Sequence, residues 1–291
     1  MLSTMSEFKK IGIIGKPHSP DIKPVLDTLI PWLKARNKEI FLDTDTASAT
    51  GLAKTHQKSK IPALADMIIV LGGDGTLLSV ARLIEQRDVP ILGVNLGGLG
   101  FLTEVTIDGL FPTLEQVFNR EFIPQERMLL KAKVLRQGEM VAQSYCLNDA
   151  VISKGHLARM IRLEASVDGQ FLTSLRGDGL IIATPTGSTA YSLSAGGPIL
   201  HPVVDALLFT PICPHTLTNR PIVIPASARV EVVLRSIDEG AIATFDGQVG
   251  VQLRQQDVVA ITAAEHRIKL FRSPARSEFQ VWRTKLKWGE E

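Results

Sequence analysis

The stretch Met67–Thr76, which reads M-I-I-V-L-G-G-D-G-T, decides how the rest of the chain is interpreted. Five consecutive apolar residues without alternation predict a β-strand buried on both faces, as in a parallel sheet. The three glycines that follow predict a tight turn, and a helical pattern runs from Leu77 to Arg87 directly after it. The stretch therefore predicts a strand, a glycine turn and a helix, with the turn at the carboxyl end of the strand.

Strand-like and helix-like segments alternate through the first third of the chain. Besides Met67–Leu71, the predicted strands are Ile11–Gly15, Glu39–Leu42 and Pro90–Val94, and the predicted helices are Asp21–Arg36 and Leu77–Arg87. This βαβα order predicts a parallel sheet covered by helices on both faces. Ligands bind at the carboxyl ends of the strands in such sheets, where the glycine turn lies.

The character of the chain changes near Glu126, after which runs rich in Val, Ile and Thr alternate with turn residues. Asp168-Gly169 and Asp246-Gly247 each lie between two strand-like runs, which predicts a β-hairpin with a two-residue loop at both positions. Further strand-like segments are Leu180–Ala183, Arg220–Pro225, Val230–Leu234 and the tail Phe279–Trp288. The second half is therefore predicted to be mostly β.

The composition indicates a cytoplasmic metabolic enzyme. Lys and Arg (32) exceed Asp and Glu (30) by two, and the charges form no long blocks, which argues against nucleic-acid and membrane partners. No apolar run is long enough to span a bilayer. Cys146 and Cys213 are far apart and the six histidines form no ligand pair, so neither a disulfide framework nor a zinc site is predicted.

The glycine turn predicts a phosphate site. Glycines let backbone N–H groups approach phosphate closely, and the N-terminus of the next helix adds unsatisfied donors. A carboxylate such as Asp74 is unfavourable there unless it takes a proton from an attacking hydroxyl or helps to hold Mg²⁺. The alternative is that Asp74 simply caps the helix. Neither a G-x-x-x-x-G-K-[ST] nor a strand-linked G-x-G-x-x-G motif occurs, which excludes a P-loop NTPase and an ordinary dinucleotide-binding dehydrogenase.

Three other polar segments are candidates for the same site. Asn95–Leu102 follows the next strand at the same sheet edge and is otherwise a flexible connection. Thr184–Ser192 combines hydroxyls, a glycine and an aromatic ring that suit a ribose or an adenine, or is a capped helix start. Asn148-Asp149 suits ribose hydroxyls or forms an Asx turn, and Arg176 with Asp178 is otherwise a solvated pair.

Together these segments resemble the bacterial NAD kinases over nearly the whole chain. They read G-G-D-G-T at 72–76, N-L-G-G-L-G-F at 95–101, N-D at 148–149, D-G at 178–179 and T-P-T-G-S-T-A-Y at 184–191. Related glycine turns also occur in diacylglycerol kinases, sphingosine kinases and phosphofructokinases, so the last segment is the most specific. The resemblance implies a Rossmann-like α/β domain over 1–124, a β-sandwich-like NAD-binding domain over 125–271, a tail over 272–291 that returns to the first domain, and a homo-oligomer, dimer or tetramer.

The resemblance also implies the reaction: Mg²⁺-dependent transfer of the ATP γ-phosphoryl group to the 2′-hydroxyl of the adenosine ribose of NAD. Asp74 would be the catalytic base, and Mg²⁺ would arrive with the nucleotide. The donor phosphates would face Gly72, Gly73, Gly75 and Thr76. NAD would contact Asp74, Gly75, Phe101, Asn148, Asp149, Arg159, Arg176, Asp178, Thr186, Thr189, Ala190, Tyr191, Ser192, Leu193, Ser194 and Gln248.

The sequence leaves alternatives open for two site residues, for the function and for the phosphate donor. Many family members have Glu where this chain has Asp149, so the reach of this shorter acid to NAD is in question. Gln248 also simply follows the Asp246-Gly247 turn. A kinase acting on a lipid or a sugar phosphate, and a non-catalytic dinucleotide sensor, are the rival functions. Inorganic polyphosphate is the alternative to ATP as donor.

Overall fold

The first part of the chain alternates between strands and helices, as predicted. The computed structural model describes residues 8–51, 55–155, 159–236, 240–273 and 276–289. Its first elements are β1 Lys10–Gly15, α1 Ile22–Lys34, β2 Glu39–Leu42, α2 Thr44–Ser48, α3 Ile61–Leu64, β3 Met67–Leu71, α4 Asp74–Ile84, β4 Ile91–Asn95, β5 Val105–Thr106 and α5 Leu110–Phe118. Helix α4 begins three residues before its predicted start, because its first turn lies within the glycine turn.

These strands form a parallel sheet. β1 pairs with β2 and β3, and β4 pairs with β3 and β5. On one face Ile11, Ile13 and Ile69 pack in a core with α1 and α5. On the other face the backbone at Gly12 lies close to Ile61 of α3, while α4 approaches β4. Every residue of β3 is buried because helices cover both faces of the sheet, which is why its sequence is apolar without alternation.

The second part of the chain is mostly β, as predicted. Its elements are β6 Gln125–Arg136, β7 Glu139–Cys146, β8 Asp149–Ser153, β9 Ile161–Val167, β10 Gln170–Gly177, β11 Gly179–Ala183, α6 Tyr191–Ser194, β12 Ala206–Ile212, β13 Ile222–Pro225, β14 Val230–Leu234, β15 Ile242–Phe245, β16 Val249–Gln252 and β17 Val258–Phe271. A 3-10 turn, Thr186–Thr189, precedes α6.

Both Asp-Gly hairpins are present. Asp168 and Gly169 have φ of 50° and 76°, and Asp246 and Gly247 have φ of 49° and 62°. The first hairpin has a two-residue loop, since Gln170 pairs with Val167. The prediction of a two-residue loop is wrong for the second hairpin, whose loop has three residues because Phe245 pairs with Val249. Left-handed backbone at both positions is what Asp-Gly tolerates and most residues do not.

Two sheets of this part face each other across one apolar core. One sheet has the order β13-β12-β11-β8-β15-β16, and the other contains β9 paired with β10 and β14, and β14 paired with β17. The core takes alternate residues from both: Ala150, Ile152, Leu180, Ile182, Leu207 and Phe209 from the first, and Leu163, Ala165, Val230, Val232, Val259 and Ile261 from the second. This is the expected β-sandwich-like arrangement.

The chain divides into two units at 126/127 and 267/268. Unit 1 contains the residues up to 126 and those from 268 onward, and unit 2 contains residues 127–267. Strand β17 begins in unit 2 and ends in unit 1, where Leu270 and Phe271 pair in parallel with Ile91 and Leu92 of β4. The parallel sheet of unit 1 is therefore completed by residues from the end of the sequence.

The prediction of a strand in the tail is wrong. Residues Glu278–Leu286 form helix α7 in unit 1, with Val281 and Trp282 buried. Ser277 and Gln280 form a capping box, in which Gln280 N donates to Ser277 Oγ at 3.3 Å and Ser277 N donates to Gln280 Oε1 at 2.7 Å. The Ser-x-x-Gln spacing is the sequence signal that was missed. Across the described residues, no helix is both long and apolar enough to cross a bilayer.

Candidate active site

The glycine turn joins the buried strand β3 to helix α4. Gly73 occupies the N-cap position in an extended conformation, and Asp74 is the first residue of the helix. The alternative that Asp74 is merely the N-cap of α4 is therefore wrong. Its side chain is half-buried and points to a different partner, the loop after β4.

Four hydrogen bonds fix the Asp74 carboxylate. Oδ1 accepts from Leu102 N at 3.1 Å, Thr103 N at 2.9 Å and Thr103 Oγ1 at 2.9 Å. Oδ2 accepts from Phe101 N at 2.8 Å. Within the described part of the chain Oδ2 has that single donor, so it keeps lone-pair capacity for another hydrogen. Oδ1 is thus fixed by three hydrogen bonds, and Oδ2 remains able to accept a further one.

The loop after β4 is folded so that its amides converge on Asp74. Asn95, at the end of β4, donates from Nδ2 to Thr103 Oγ1 at 2.9 Å and accepts from Gly97 N at 2.8 Å. Gly100 N donates to Thr103 O at 3.1 Å. A Cβ at Gly100 would lie 2.2 Å from Asp74 Oδ1, so only glycine fits there. The prediction that both loops share one edge of the sheet is confirmed.

The four residues predicted to face the donor phosphates differ in what they offer. Gly72 N donates to Val94 O at 2.9 Å, so this amide belongs to the sheet. Thr76 is buried and packs against Gly72. Gly73 has open space around it and Gly75 is exposed. The surface that phosphate oxygens can reach is therefore the segment from Gly73 to Gly75, at the start of α4.

In unit 2 a second carboxylate holds three consecutive backbone amides. Asp246 Oδ2 accepts from Leu147 N at 3.0 Å, and Oδ1 accepts from Asn148 N at 2.8 Å and Asp149 N at 3.2 Å. In the sequence Asp246 is recognisable only as a hairpin residue, and no local pattern indicates that its carboxylate binds three backbone amides. The structure makes it the residue that sets the backbone of the predicted Asn148-Asp149 pair.

The Thr184–Thr189 segment lies directly against this pair. Thr184 N donates to Asn148 O at 2.9 Å, and Thr184 Oγ1 donates to Leu147 O at 2.6 Å. A Cβ at Gly187 would lie 2.1 Å from Asn148 O, so the two backbones touch. Two segments far apart in sequence, both predicted to bind NAD, are thus adjacent in the fold.

Asp149 itself lies in an unusual electrostatic environment. It is 4% exposed, and burial together with the neighbouring negative charge of Asp246 raises its pKa to about 7. Desolvation penalises the ionised carboxylate, and a like charge penalises it further. Asp149 therefore exchanges its proton near neutral pH.

The remaining predicted residues fall into two groups. Around α6, Tyr191 and Ser194 are exposed and Thr186 is buried, while Thr189, Ala190 and Leu193 are half-buried. The hydroxyl of Ser192 is buried and bonded to Thr210 Oγ1 at 2.9 Å, so it supports the turn rather than facing outward.

The second group lies outside the contacts that join Asn148 to Thr184. Arg159, Arg176 and Gln248 are exposed. The alternative that Arg176 and Asp178 form a solvated pair with each other is not supported, because Asp178 pairs with Lys154 at 2.9 Å. Asn148, Asp149 and Thr184–Thr189 therefore lie together, and Arg159 and Arg176 do not take part in the contacts that join them.

The residues present fit a cation that takes few protein ligands. No group of three or more His, Cys, Asp or Glu side chains with metal-binding geometry occurs among the described residues. Mg²⁺ commonly binds through one or two carboxylates, with phosphates and water as its other ligands. A single accessible carboxylate at the glycine turn, Asp74, is compatible with that chemistry.

Both units match protein families of known activity. Residues 11–122 match the family model described as the ATP-NAD kinase N-terminal domain, and residues 147–273 match the ATP-NAD kinase C-terminal domain. The NAD kinase of Geobacter sulfurreducens is 53% identical over 283 residues, covering 97% of this chain and all of the relative. The NAD kinase of Citrifermentans bemidjiense is 51% identical over 287 residues with the same coverage.

Solved structures share the fold. Yeast NADH kinase in complex with NADH superimposes with a TM-score of 0.91 at 24% identity, over 98% of this chain and 89% of that chain. An NAD kinase from Archaeoglobus fulgidus in complex with ATP gives a TM-score of 0.75 at 24% identity, over 96% of this chain and 98% of that chain. The resemblance indicated by the sequence motifs is confirmed by the two family models and by the relatives at about 50% identity.

Proposed function

This chain belongs to the NAD kinase family and phosphorylates NAD to NADP, and we propose that Asp74 is the base that takes the proton from the 2′-hydroxyl of the adenosine ribose. The observation that carries this proposal is the unequal bonding of the two Asp74 oxygens. Oδ1 has three donors, while Oδ2 has one and belongs to a half-buried side chain. A base must be fixed in place and keep one oxygen available.

The donor side of the reaction falls to the start of α4. We propose that ATP places its phosphates against Gly73–Gly75, where the helix N-terminus supplies N–H groups and a favourable dipole. Mg²⁺ carried by the nucleotide would spread the charge that develops on the transferred phosphoryl group. Catalysis then rests mainly on positioning the 2′-oxygen in line with the γ-phosphoryl group.

The NAD side falls to unit 2. We propose that Asn148 and Asp149 accept hydrogen bonds from ribose hydroxyls, with Thr186, Thr189, Ala190 and Tyr191 beside them. The packing of Thr184 and Gly187 against Asn148 supports this grouping. Phe101, Leu193, Ser194, Gln248, Asp178, Arg176 and Arg159 are proposed as further contacts. Polar groups placed in this way determine orientation and specificity in a nucleotide site.

Three further assignments accompany the function. We propose a cytoplasmic protein, because the composition shows two separated cysteines and no charge blocks. We propose a homo-oligomer, because unit 2 exposes large apolar side chains, among them Met140, Val141, Phe171 and Leu172. We also propose that residues 1–124 with the tail 272–291 serve the phosphate chemistry and residues 125–271 serve NAD recognition.

One assay with one variant tests the catalytic proposal. The pure protein is incubated with NAD, Mg²⁺ and either ATP or inorganic polyphosphate, and NADP is measured. We expect NADP from the wild type, and a loss of about 10²–10⁴ in kcat for Asp74→Asn with the fold retained, the usual cost of removing a general base. Near-normal turnover of the variant would overturn the role of Asp74. Absence of NADP with every donor would favour the non-catalytic sensor.

A further inference from the structure

Three charged side chains are buried together in unit 1. Arg272 follows β17 directly, and its guanidinium group contacts the carboxylates of Glu104 and Glu278. The three side chains are only 6%, 1% and 13% exposed. Removing one member of such a group leaves a buried charge without its partner, which is strongly destabilising.

Burial disfavours the charged form of the arginine. It lowers the pKa of Arg272 to about 10, which still leaves the guanidinium group charged at neutral pH. The guanidinium group places Nη2 against Glu104 and Nη1 against Glu278, so it bridges two chain segments in a way that a compact ammonium group does not reproduce. The two segments fixed here are the loop that carries Glu104 and the first turn of α7.

Glu104 links Arg272 to the candidate base. It follows Thr103, whose N–H and hydroxyl both donate to Asp74 Oδ1 at 2.9 Å. Glu104 and Thr103 are both fully buried. A shift of Glu104 therefore moves the donors that hold the Asp74 carboxylate.

Helix α7 links Arg272 to the other end of the same loop. Glu278 lies in its first turn. Near its end, Lys285 Nζ donates to Leu99 O at 2.7 Å and lies 5.7 Å from the centre of the Phe101 ring. Phe101 N in turn is the donor to Asp74 Oδ2. The helix fixed by Arg272 thus contacts the loop near the residue that bonds the available oxygen of Asp74.

We propose that Arg272 is a positioning residue for phosphoryl transfer, which holds the 99–104 loop and α7 so that three backbone amides aim the Asp74 carboxylate at the 2′-hydroxyl. This inference rests on the proposed role of Asp74 as base. Arg272 does not touch substrate. It acts through Glu104 on one side and through Glu278 and Lys285 on the other.

Unit 2 offers a matched control for a purely structural role. Arg136 Nε and Nη2 donate to Asp257 Oδ1 and Oδ2 at 3.0 and 2.8 Å, and the Asp257 side chain is 1% exposed. Arg136→Lys thus breaks an arginine–carboxylate pair whose acid is buried, although Arg136 binds one carboxylate and is 25% exposed, whereas Arg272 bridges two and is 6% exposed. Among the described residues, the contacts of this pair do not involve the loop that bonds Asp74. Any stability loss common to Arg272→Lys and Arg136→Lys is the structural part of the effect.

The test compares Arg272→Lys and Arg136→Lys by steady-state kinetics and by amide hydrogen exchange in the full-length protein. We expect Arg272→Lys to lower kcat about 10–100-fold, with the KM for NAD changed less than about twofold, since small misplacements of reacting groups cost rates of this size. We expect faster exchange at Phe101, Leu102 and Thr103 and unchanged exchange in β3. Arg136→Lys should keep kcat within about twofold. If Arg272→Lys does not fold, Glu104→Gln is expected to show the same pattern with a smaller loss.

The double variant with Asp74→Asn separates this inference from the proposed function. If Arg272 acts through Asp74, then Arg272→Lys adds less than about a threefold loss in the Asp74→Asn background, because residues that act as one unit are not additive. The full loss in that background would overturn the inference, as would unchanged exchange at the three amides. Full activity of Asp74→Asn alone would instead overturn the base assignment, while the exchange result would still decide whether Arg272 holds the loop.

Discussion

Asp74 in unit 1 and Asp246 in unit 2 have the same pattern of hydrogen bonds but differ in exposure. Each carboxylate accepts hydrogen bonds from three consecutive backbone amides far away in sequence, 101–103 for Asp74 and 147–149 for Asp246. Asp74 is half-buried and its Oδ2 keeps accepting capacity, while Asp246 is 8% exposed. In unit 1 these hydrogen bonds fix the Asp74 carboxylate, and in unit 2 they fix the backbone of residues 147–149.

The difference shows that burial decides what such a carboxylate can do. At the glycine turn the amides hold Asp74 while leaving it accessible to a substrate hydroxyl. At the hairpin the carboxylate is enclosed, and its charge acts on the neighbouring Asp149, whose pKa it helps to raise to about 7. Asp74 is thus suited to chemistry, and Asp246 to shaping a binding segment.

The largest expected effect concerns Asp149 and pH. In the folded state its pKa is about 7, against 3.8 for an ordinary Asp. Between about pH 4 and 7 the folded chain therefore holds a proton that the unfolded chain releases, and the free energy of unfolding falls as pH rises. The fall totals ~4 kcal/mol and is complete once the pH has passed 7. Asp149→Asn should remove this part of the slope, measured by urea unfolding at several pH values.

A control for this prediction lies on the same strand. Val151→Ala removes buried apolar volume and no titrating group, so it should lower stability by about 1–3 kcal/mol equally at every pH. Parallel pH profiles for wild type and Asp149→Asn would contradict the idea that Asp246 and burial keep Asp149 protonated.

A smaller effect is expected from crowding Asp74. In Gly100→Ala the new Cβ would lie 2.2 Å from Asp74 Oδ1 and 2.5 Å from Thr103 Oγ1. We expect the carboxylate to be displaced and kcat to fall about 10²-fold. Gly98→Ala, in the same loop but with open space around the glycine, should lose far less. Equal kinetics of the two variants would contradict the fixed placement of Asp74.

The smallest effect concerns the hydrogen bond from the Thr103 hydroxyl to the Asp74 carboxylate. Thr103→Val removes the hydroxyl that donates to Asp74 and accepts from Asn95. We expect a loss of about 1 kcal/mol, or roughly fivefold in kcat. Thr103→Ser keeps the hydroxyl and should recover most of the rate. A serine variant as slow as the valine variant would show that packing of the methyl group, and not the bond, matters.

The parallel sheet was predictable because its signals are local. Continuous apolar runs gave β1, β3 and β4 within one residue at each end, since burial on both faces leaves little choice of side chain. Helix α7 was misassigned because the exposed face of a short helix carries little periodicity and the Ser277–Gln280 capping signal was overlooked. The short elements α2, α3 and β5 depend on tertiary contacts and have no strong pattern.

The candidate site was predictable only in part. The motifs that contain Asp74, Asn148 and Thr184–Tyr191 can be recognised from the sequence alone. The Thr103 amide donates to a carboxylate 29 residues away, and Asp246 accepts from backbone amides up to 99 residues away. A backbone amide carries no side-chain signal in the sequence. Arg272 was missed for the same reason, because a single arginine after a strand does not reveal which buried acids it meets.

The division of unit 1 between both ends of the sequence has a consequence for synthesis. Residues 127–267 of unit 2 are synthesised before Phe271, Arg272 and α7, although the Phe271 ring packs against Phe8 and Phe122 in the core of unit 1. At about 5–20 residues per second, the N-terminal segment waits on the order of ten seconds for its last strand. During that interval the sheet edge at Ile91 and Leu92 lacks its partner strand and is open to misfolding and to chaperones. Asp74 gains the contacts that depend on Arg272 and α7 only after those residues have been added.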